Sequence, residues 1–112
     1  MPPTNAASHS AEFSIPNEHP SLPGHFPGNT LVPGVVILDR VIDATEEWLG
    51  RQLHVRAVPQ AKFLAPLRPC ETATIALELR SSATMVVFTV RRGPTVIATG
   101  TLRLLTQQGL HA

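Results

Sequence analysis

Hydrophobic and polar residues alternate one by one along much of the second half of the chain. The alternating segments cover residues 53–58, 74–79, 85–90 and 96–103. Successive side chains of a β-strand point to opposite faces, so this period of two predicts four half-buried strands. Short turns are predicted at residues 66–71, 81–83 and 92–94. Strands joined by short turns are expected to be antiparallel neighbours, and the pattern therefore predicts an antiparallel meander.

One helix is predicted between Pro33 and Gly50. The residues directly after Pro33 are mostly β-branched, and taken alone they would favour a strand. From Leu38 onward, apolar residues recur at intervals of three and four, which is the spacing of one face of a helix. Proline is favoured at the first helical position, and glycine commonly follows the last one. One long helix buried against a curled antiparallel sheet makes an α+β fold.

The chain before the helix is predicted to be mostly irregular. Residues 1–11 are expected to be disordered, and residues 12–15 are predicted to form a short strand that ends at Pro16. Residues 17–32 are rich in proline and glycine, which predicts a long loop, and loops of this length in small domains are usually functional. The expected organisation is one domain over residues 12–106, followed by a tail over residues 107–112.

Composition narrows the range of functions. A chain of 112 residues is expected to form one domain, and a net charge of +1 is too small to predict binding to nucleic acid. No apolar run approaches the ~20 residues of a membrane span, and residues 1–10 lack the pattern of a signal peptide. The single cysteine, Cys70, cannot form an internal disulfide, which is compatible with a reducing cytoplasm.

The candidate chemistry lies in residues 25–39, with the sequence HFPGNTLVPGVVILD. An imidazole, His25, precedes a Pro/Gly-rich turn, and a carboxylate, Asp39, follows on the helix. Such a pair can act as a general base and a general acid. Without the surrounding motif, Asp39 would instead be interpreted as part of a solvated acidic face, paired with Arg40 or Arg51.

Residues 25–39 resemble the active-site signature of the β-hydroxyacyl-acyl-carrier-protein dehydratases, which have the hot-dog fold. Residues 61–71, AKFLAPLRPCE, are similar to the later strand and turn of that family, with Cys70 in place of a glycine. The resemblance covers about residues 12–105. In its shortness the chain is more similar to the compact dehydratases of specialised pathways such as aryl-polyene synthesis.

The resemblance implies the removal of water from 3-hydroxyacyl-acyl-carrier-protein thioesters, with no cofactor and no metal. It assigns His25 as the base, Asp39 as the acid and the backbone N–H of Gly34 as the donor to the thioester oxygen. In this family the histidine and the acid of one site come from opposite subunits, so a homodimer is expected. The residues expected to contact the substrate are Phe26, Pro33, Val35 and Phe63.

Besides Cys70, two positions depart from the family pattern. The simple dehydratases carry glutamate where this chain has Asp39, and the dehydratase-isomerase branch carries aspartate. A glutamine usually lies one turn further along the helix, where this chain has Asp43.

Phe63 and Trp48 are expected to be core residues or to border the acyl chain.

Several basic residues are candidates for contact with an acidic carrier protein, since arginine binds phosphates and carboxylates in a bidentate manner. These residues are Arg56, Lys62, Arg68, Arg91 and Arg92. For each one taken singly, a solvated surface position is the simpler interpretation.

Two other functions remain open for a chain of this kind. One is a hot-dog thioesterase, which would not need His25, and the other is a non-catalytic acyl-binding or dimerisation module. A metal site is not predicted, because the spacing of the nearest candidate ligands fits no helix or hairpin pattern. Those candidates are His9, Glu18, His19 and His25.

Overall fold

The computed structural model describes residues 8–16, 31–50, 55–80 and 84–104, and for residues 55–59 it describes the backbone only. One helix and five strands follow one another along these residues. The elements are β1 (Ser8–Phe13), α1 (Gly34–Leu49), β2 (Val55–Phe63), β3 (Ala73–Arg80), β4 (Met85–Arg92) and β5 (Thr95–Leu104). The predicted α+β fold is confirmed.

Helix α1 lies between Pro33 and Gly50, as predicted, but Pro33 is not its first residue. Pro33 is extended, with φ −62° and ψ 148°, and its carbonyl accepts the N–H groups of Val36 and Ile37 at 3.0 and 3.3 Å. The helix therefore begins at Gly34. Gly50 ends it in the left-handed conformation, with φ 71°, which glycine adopts without a Cβ penalty.

The sheet has the strand order β1-β3-β4-β5-β2, and all neighbours are antiparallel. Strands β3, β4 and β5 form the predicted meander. The expectation that β2 would pair with β3 is wrong, because β2 lies on the far side of β5. Gly100 of β5 permits this pairing: a Cβ there would lie 2.5 Å from the carbonyl oxygen of Gln60 in β2 and 2.6 Å from the ring of Phe88.

The core lies on the face of the sheet that carries the helix. In β4 the buried side chains alternate with less buried ones, as the period of two predicts: Val86, Phe88 and Val90 have no exposed surface. The helix contributes mainly Val36, Ile37 and Val41. Burial of these apolar side chains is the main source of stability for the layer.

Strand β1 begins earlier than the sequence suggested. Residues 8–11 were expected to be disordered, but they pair with β3, from Ser8 opposite Glu78 to Phe13 opposite Ala73. The polar run at Ser8 gives no apolar alternation, so only the pairing with β3 reveals this strand. On the helix side, the ring of His9 stacks on Trp48, with ring centroids 5.5 Å apart and an interplanar angle of 8°.

Helix α1 has 16 residues, and among the described residues there is no helix long and apolar enough to cross a membrane.

Candidate active site

The amino end of α1 carries backbone donors that the helix itself does not use. No side chain caps it, and neither Gly34 nor Val35 donates its N–H to an acceptor within the described residues. The first N–H groups of a helix lie at the positive end of its dipole, where they favour a partial negative charge. This end of the helix can therefore stabilise an oxygen that gains charge during a reaction.

An apolar groove of about 550 Å³ lies beside these donors. Its volume falls within the usual range for a small-molecule site. It is lined by Leu31, Val32, Gly34, Ile37, Phe63, Leu64, Ala65, Pro66 and Leu67.

Phe63, at the end of β2, is brought directly against the start of the helix. A Cβ on Gly34 would lie 2.8 Å from Cζ of Phe63, so the ring leaves room only for glycine. Phe63 is 47% exposed and is therefore a groove residue rather than a core residue. Trp48 lies near the other end of the helix, roughly 20 Å away at 1.5 Å per residue, and does not border this groove.

The large apolar side chains that are exposed in the described residues gather at this end of the molecule. Leu31 is 45% exposed, Val35 64%, Phe63 47% and Leu64 60%. Exposed apolar groups that cluster in this way mark a surface that binds a ligand or another protein. Val35 belongs to this cluster without lining the groove.

Asp39 lies one helical turn after Val35, on the side of α1 that faces away from the core. The role of acid that the resemblance implies for Asp39 is expected to need a desolvated carboxyl, but Asp39 is exposed in the single chain and does not line the groove. Arg40 pairs with Asp43 at 4.0 Å, and no ion pair of Asp39 occurs within the described residues. In the alternative interpretation, Asp39 would pair with Arg40 or Arg51; Arg40 instead pairs with Asp43, and Arg51 lies outside the described residues.

The histidine of the motif cannot be placed relative to Asp39. His25 and Phe26 lie outside the described residues, as do Glu18 and His19 among the rejected metal ligands. Within the described residues, no group of three or more histidine, cysteine, aspartate or glutamate side chains is arranged to hold a metal ion. The pairing of His25 with Asp39 stays a prediction.

The segment between β2 and β3, residues 64–72, forms one wall of the groove and was predicted only as a short turn. It runs across the end of the sheet and is fixed by backbone hydrogen bonds to three other parts of the chain. Leu64 and Ala65 donate to Ile97 in β5, at 2.8 and 3.3 Å, and Leu67 accepts from Val32 at 2.8 Å.

The same segment is also joined to the residues that follow β1. The N–H of Cys70 donates to the carbonyl of Ile15 at 2.8 Å. Cys70 has φ 70°, a left-handed conformation that costs energy for any residue with a Cβ. This explains why the related motif has glycine at the position.

The basic residues proposed for carrier contact occupy different environments. Lys62 and Arg91 are exposed on the strands β2 and β4, and Arg68 is exposed in the segment 64–72. Arg92 is half-buried and is engaged with Glu71. The side chain of Arg56 lies outside the description.

Comparison with known proteins adds family information to this geometry. The model of the ApeI-like family, described as ApeI dehydratase, matches residues 3–101. A 3-hydroxyacyl-acyl-carrier-protein dehydratase FabZ from Levilactobacillus brevis is 33% identical over 63 residues, which is 50% of this chain and 43% of that protein. The FabZ from Lactobacillus helveticus is 38% identical over 53 residues, covering 41% of this chain and 36% of that protein. The chain thus spans less than half the length of these relatives.

Solved structures confirm the predicted hot-dog fold. The dehydratase heterocomplex ApeI:P from Xenorhabdus doucetiae is similar with a TM-score of 0.77 and 20% identity, over 90% of this chain and 89% of that chain. A probable thioesterase from Bartonella henselae is similar with a TM-score of 0.67 and 16% identity, over 92% of this chain and 94% of that chain. At these identities the likeness concerns the fold, which hosts more than one activity.

Proposed function

Since the chain belongs to the ApeI-like dehydratase family, we propose that it removes water from 3-hydroxyacyl-acyl-carrier-protein thioesters to give 2-enoyl thioesters. The observation that carries this proposal is the N–H of Gly34, which has no acceptor within the described residues and lies at the mouth of an apolar groove. The groove suits an acyl chain, and the donor suits the thioester oxygen, on which negative charge develops when the C2 proton leaves.

The proposed reaction uses two side chains besides this donor. His25 takes the proton from C2 of the substrate, and the electron pair of that C–H bond forms the C2–C3 double bond. The C3–O bond breaks, and Asp39 gives its proton to the departing hydroxyl group, which leaves as water. A later transfer of the proton from His25 to Asp39 restores both residues.

We also propose that the working unit is a homodimer. The acid must carry a proton before it can donate one, and apolar, dry surroundings favour the protonated form of a carboxyl. In the single chain Asp39 is exposed, and its neighbour Val35 is 64% exposed. A second subunit laid over this face of α1 would exclude water from Asp39 and could bring the partner subunit's His25 to it.

The edge of the sheet supports the same assembly. Strand β2 is an edge strand of the described sheet, and no other described strand pairs with its outer side. Such edges are normally covered or paired. The similar structure from Xenorhabdus doucetiae is a heterocomplex, so a different chain is the alternative partner. Elution of the purified chain alone as a dimer of its 12.1 kDa mass would favour the homodimer.

An acidic carrier protein is the proposed source of the substrate. Lys62, Arg68 and Arg91 are exposed and could contact it, and Arg92, whose side chain is only 32% exposed, is the least accessible candidate among the described side chains. A cytoplasmic reaction is part of this proposal, and the free thiol of Cys70 is compatible with it.

The test is one incubation of the purified protein with a 3-hydroxyacyl carrier protein, followed by analysis of the products. An enoyl carrier protein supports the dehydratase. Release of the free carrier thiol would instead support a thioesterase, and no reaction despite acyl binding would support a binding module. Asp39→Asn is the matched control, since it keeps the shape of the side chain and cannot donate a proton as a carboxylic acid does.

A further inference from the structure

One wall of the groove is held by Arg92, the last residue of strand β4. Arg92 donates a hydrogen bond from Nη1 to the carbonyl oxygen of Pro66, and the same nitrogen lies 3.4 Å from Oε1 of Glu71. That carboxylate oxygen also accepts the backbone N–H of Arg68 at 2.8 Å. Pro66 lines the groove, so these contacts connect a charged pair outside the groove to its surface.

The strand geometry explains why Arg92, and not its neighbour, reaches this segment. Strand β4 shifts register between Val90 and Arg91, and it ends at Arg92 opposite Thr95. Arg91 is exposed, whereas the side chain of Arg92 is only 32% exposed and continues the side of β4 on which Val90 is buried. Arg92 therefore extends past the end of the core towards the segment 64–72.

Without Arg92, Pro66 itself would have no hydrogen bond to any other described residue. Ala65 is bonded to Ile97, and Leu67 is bonded to Val32, but Pro66 has no N–H and uses only its carbonyl. Within the described residues that carbonyl has Arg92 as its partner. A pair of charges that is about one third exposed adds little to stability. What the contact does supply is a fixed position for Pro66.

We propose that Arg92 and Glu71 are positioning residues that hold the Pro66 wall and thereby set the affinity for longer acyl chains. The inference rests on the proposed function, because it takes the groove to be the place where the acyl chain binds. A short acyl group that stays near Gly34 would be insensitive to the wall. A longer one would contact the wall at Pro66 and Leu67 and would lose affinity when the wall is free to move.

The test measures kcat and KM for short-chain and medium-chain 3-hydroxyacyl pantetheine thioesters, which remove any contribution from carrier contacts. Arg92→Ala is expected to raise the KM for the medium-chain substrate about tenfold, which corresponds to about 1.4 kcal/mol. The KM for the short-chain substrate and both kcat values should change by less than about threefold. Arg92→Lys keeps a charged donor and should recover part of the medium-chain affinity.

Two further variants make the result specific. Glu71→Gln keeps the acceptor for the N–H of Arg68 but removes the charge beside Arg92, and it should change the medium-chain KM in the same direction by a smaller factor. Arg80→Ala is the matched control, because it breaks another arginine–glutamate pair, with Glu78 at 2.8 Å, that lies away from the groove. It should leave the ratio of the two KM values unchanged.

A binding measurement separates this inference from the reaction itself. Calorimetry with a saturated medium-chain acyl pantetheine reports affinity without turnover. A wild type that binds this ligand but forms no enoyl product would refute the dehydratase. The wall proposal would then be decided by the affinities of the variants for this ligand. Equal losses of affinity for the short-chain and medium-chain ligands in Arg92→Ala would overturn the wall proposal, as would an unchanged ratio of the two KM values. So would a wild type that does not bind the ligand. If Arg92→Ala does not fold, the ratio in Arg92→Lys and Glu71→Gln decides in the same way.

Discussion

The two ends of helix α1 are built on opposite principles. At the carboxyl end, Gly50 closes the helix, its N–H donates to Glu46 at 2.9 Å, and Trp48 is covered by the stacked ring of His9. At the amino end, Pro33 offers no side-chain cap, and the N–H of Gly34 has no acceptor within the described residues. The carboxyl end is closed by a glycine and its aromatic ring is covered within the chain, whereas the amino end leaves the N–H of Gly34 without an acceptor in the part of the chain that the structure describes.

This difference indicates that the amino end of α1 is less favourable for stability because it serves the function. An uncapped helix end and exposed apolar side chains are unfavourable for an isolated chain, and each could be corrected by a common substitution. Here both occur together, beside a groove. Changes at the amino end should therefore affect activity more than stability, and changes at the carboxyl end should do the reverse.

The largest expected effect is the loss of either proposed catalytic side chain. His25→Ala and Asp39→Asn should each lower turnover about 10²–10⁴-fold, the usual contribution of a general base or acid. Asp39→Asn should leave the thermal midpoint unchanged or raise it, because it removes a charge that the dimer would have to bury. Turnover and thermal unfolding are measured on the same preparations. More than a tenth of wild-type turnover in either variant would remove that residue from the mechanism.

A mixture of the two inactive variants should recover activity. If each site combines His25 of one subunit with Asp39 of its partner, a heterodimer of His25→Ala and Asp39→Asn contains one intact site. After subunit exchange, half of the dimers are mixed, so about a quarter of wild-type activity should return. No recovery under conditions in which exchange is verified by mass spectrometry would contradict the shared site.

The next effect is smaller and confined to the amino end. Gly34→Ala places a methyl group 2.8 Å from the present position of Cζ of Phe63, which must move towards the groove. Turnover with a medium-chain substrate should fall about tenfold, because a displaced group beside the reacting carbonyl disturbs its alignment. The free energy of unfolding should change by less than about 0.5 kcal/mol, since alanine is favourable in helices and Phe63 is half exposed. Urea unfolding and steady-state kinetics together test this.

The matched substitution at the carboxyl end should have the smallest effect on activity. Gly50→Ala meets no atom within 4 Å, but the residue must keep φ 71°, which costs about 1 kcal/mol for alanine. We expect a thermal midpoint lower by about 4 °C with unchanged kcat and KM. If Gly34→Ala and Gly50→Ala changed stability and activity alike, the contrast between the two helix ends would be wrong.

The sequence predicts the elements whose signals are local. Both ends of α1 follow from Pro33 and Gly50, and the meander follows from alternation with a period of two. The position of Asp39 on the helix follows from the apolar intervals of three and four, and its exposure in the single chain agrees with the solvated acidic face that the same pattern indicates. These features depend on residues that lie within a few positions of each other.

The features that sequence reasoning missed depend on contacts between distant segments. The pairing of β2 with β5 requires Gly100 to meet Gln60, and nothing near either residue indicates the other. Strand β1 is polar at its start and is defined by β3. The groove wall contains Pro66, which reads as a turn residue, and its attachment to Arg92 joins positions 26 residues apart.

The bonds of the segment 64–72 also have a consequence for folding. Its partners are Ile15, Val32 and Ile97, which lie far apart in sequence and come together only when the sheet and the start of the helix have formed. Contacts of such long range require the closure of long loops, which costs chain entropy before the contacts contribute favourable energy, so they tend to form late. The groove would then be the last part of the molecule to assemble and the first to open. In native-state hydrogen exchange, the amides of Val32, Leu64 and Cys70 should exchange through an opening of lower free energy than the amides of the meander. The site could then open and close while the rest of the sheet stays intact.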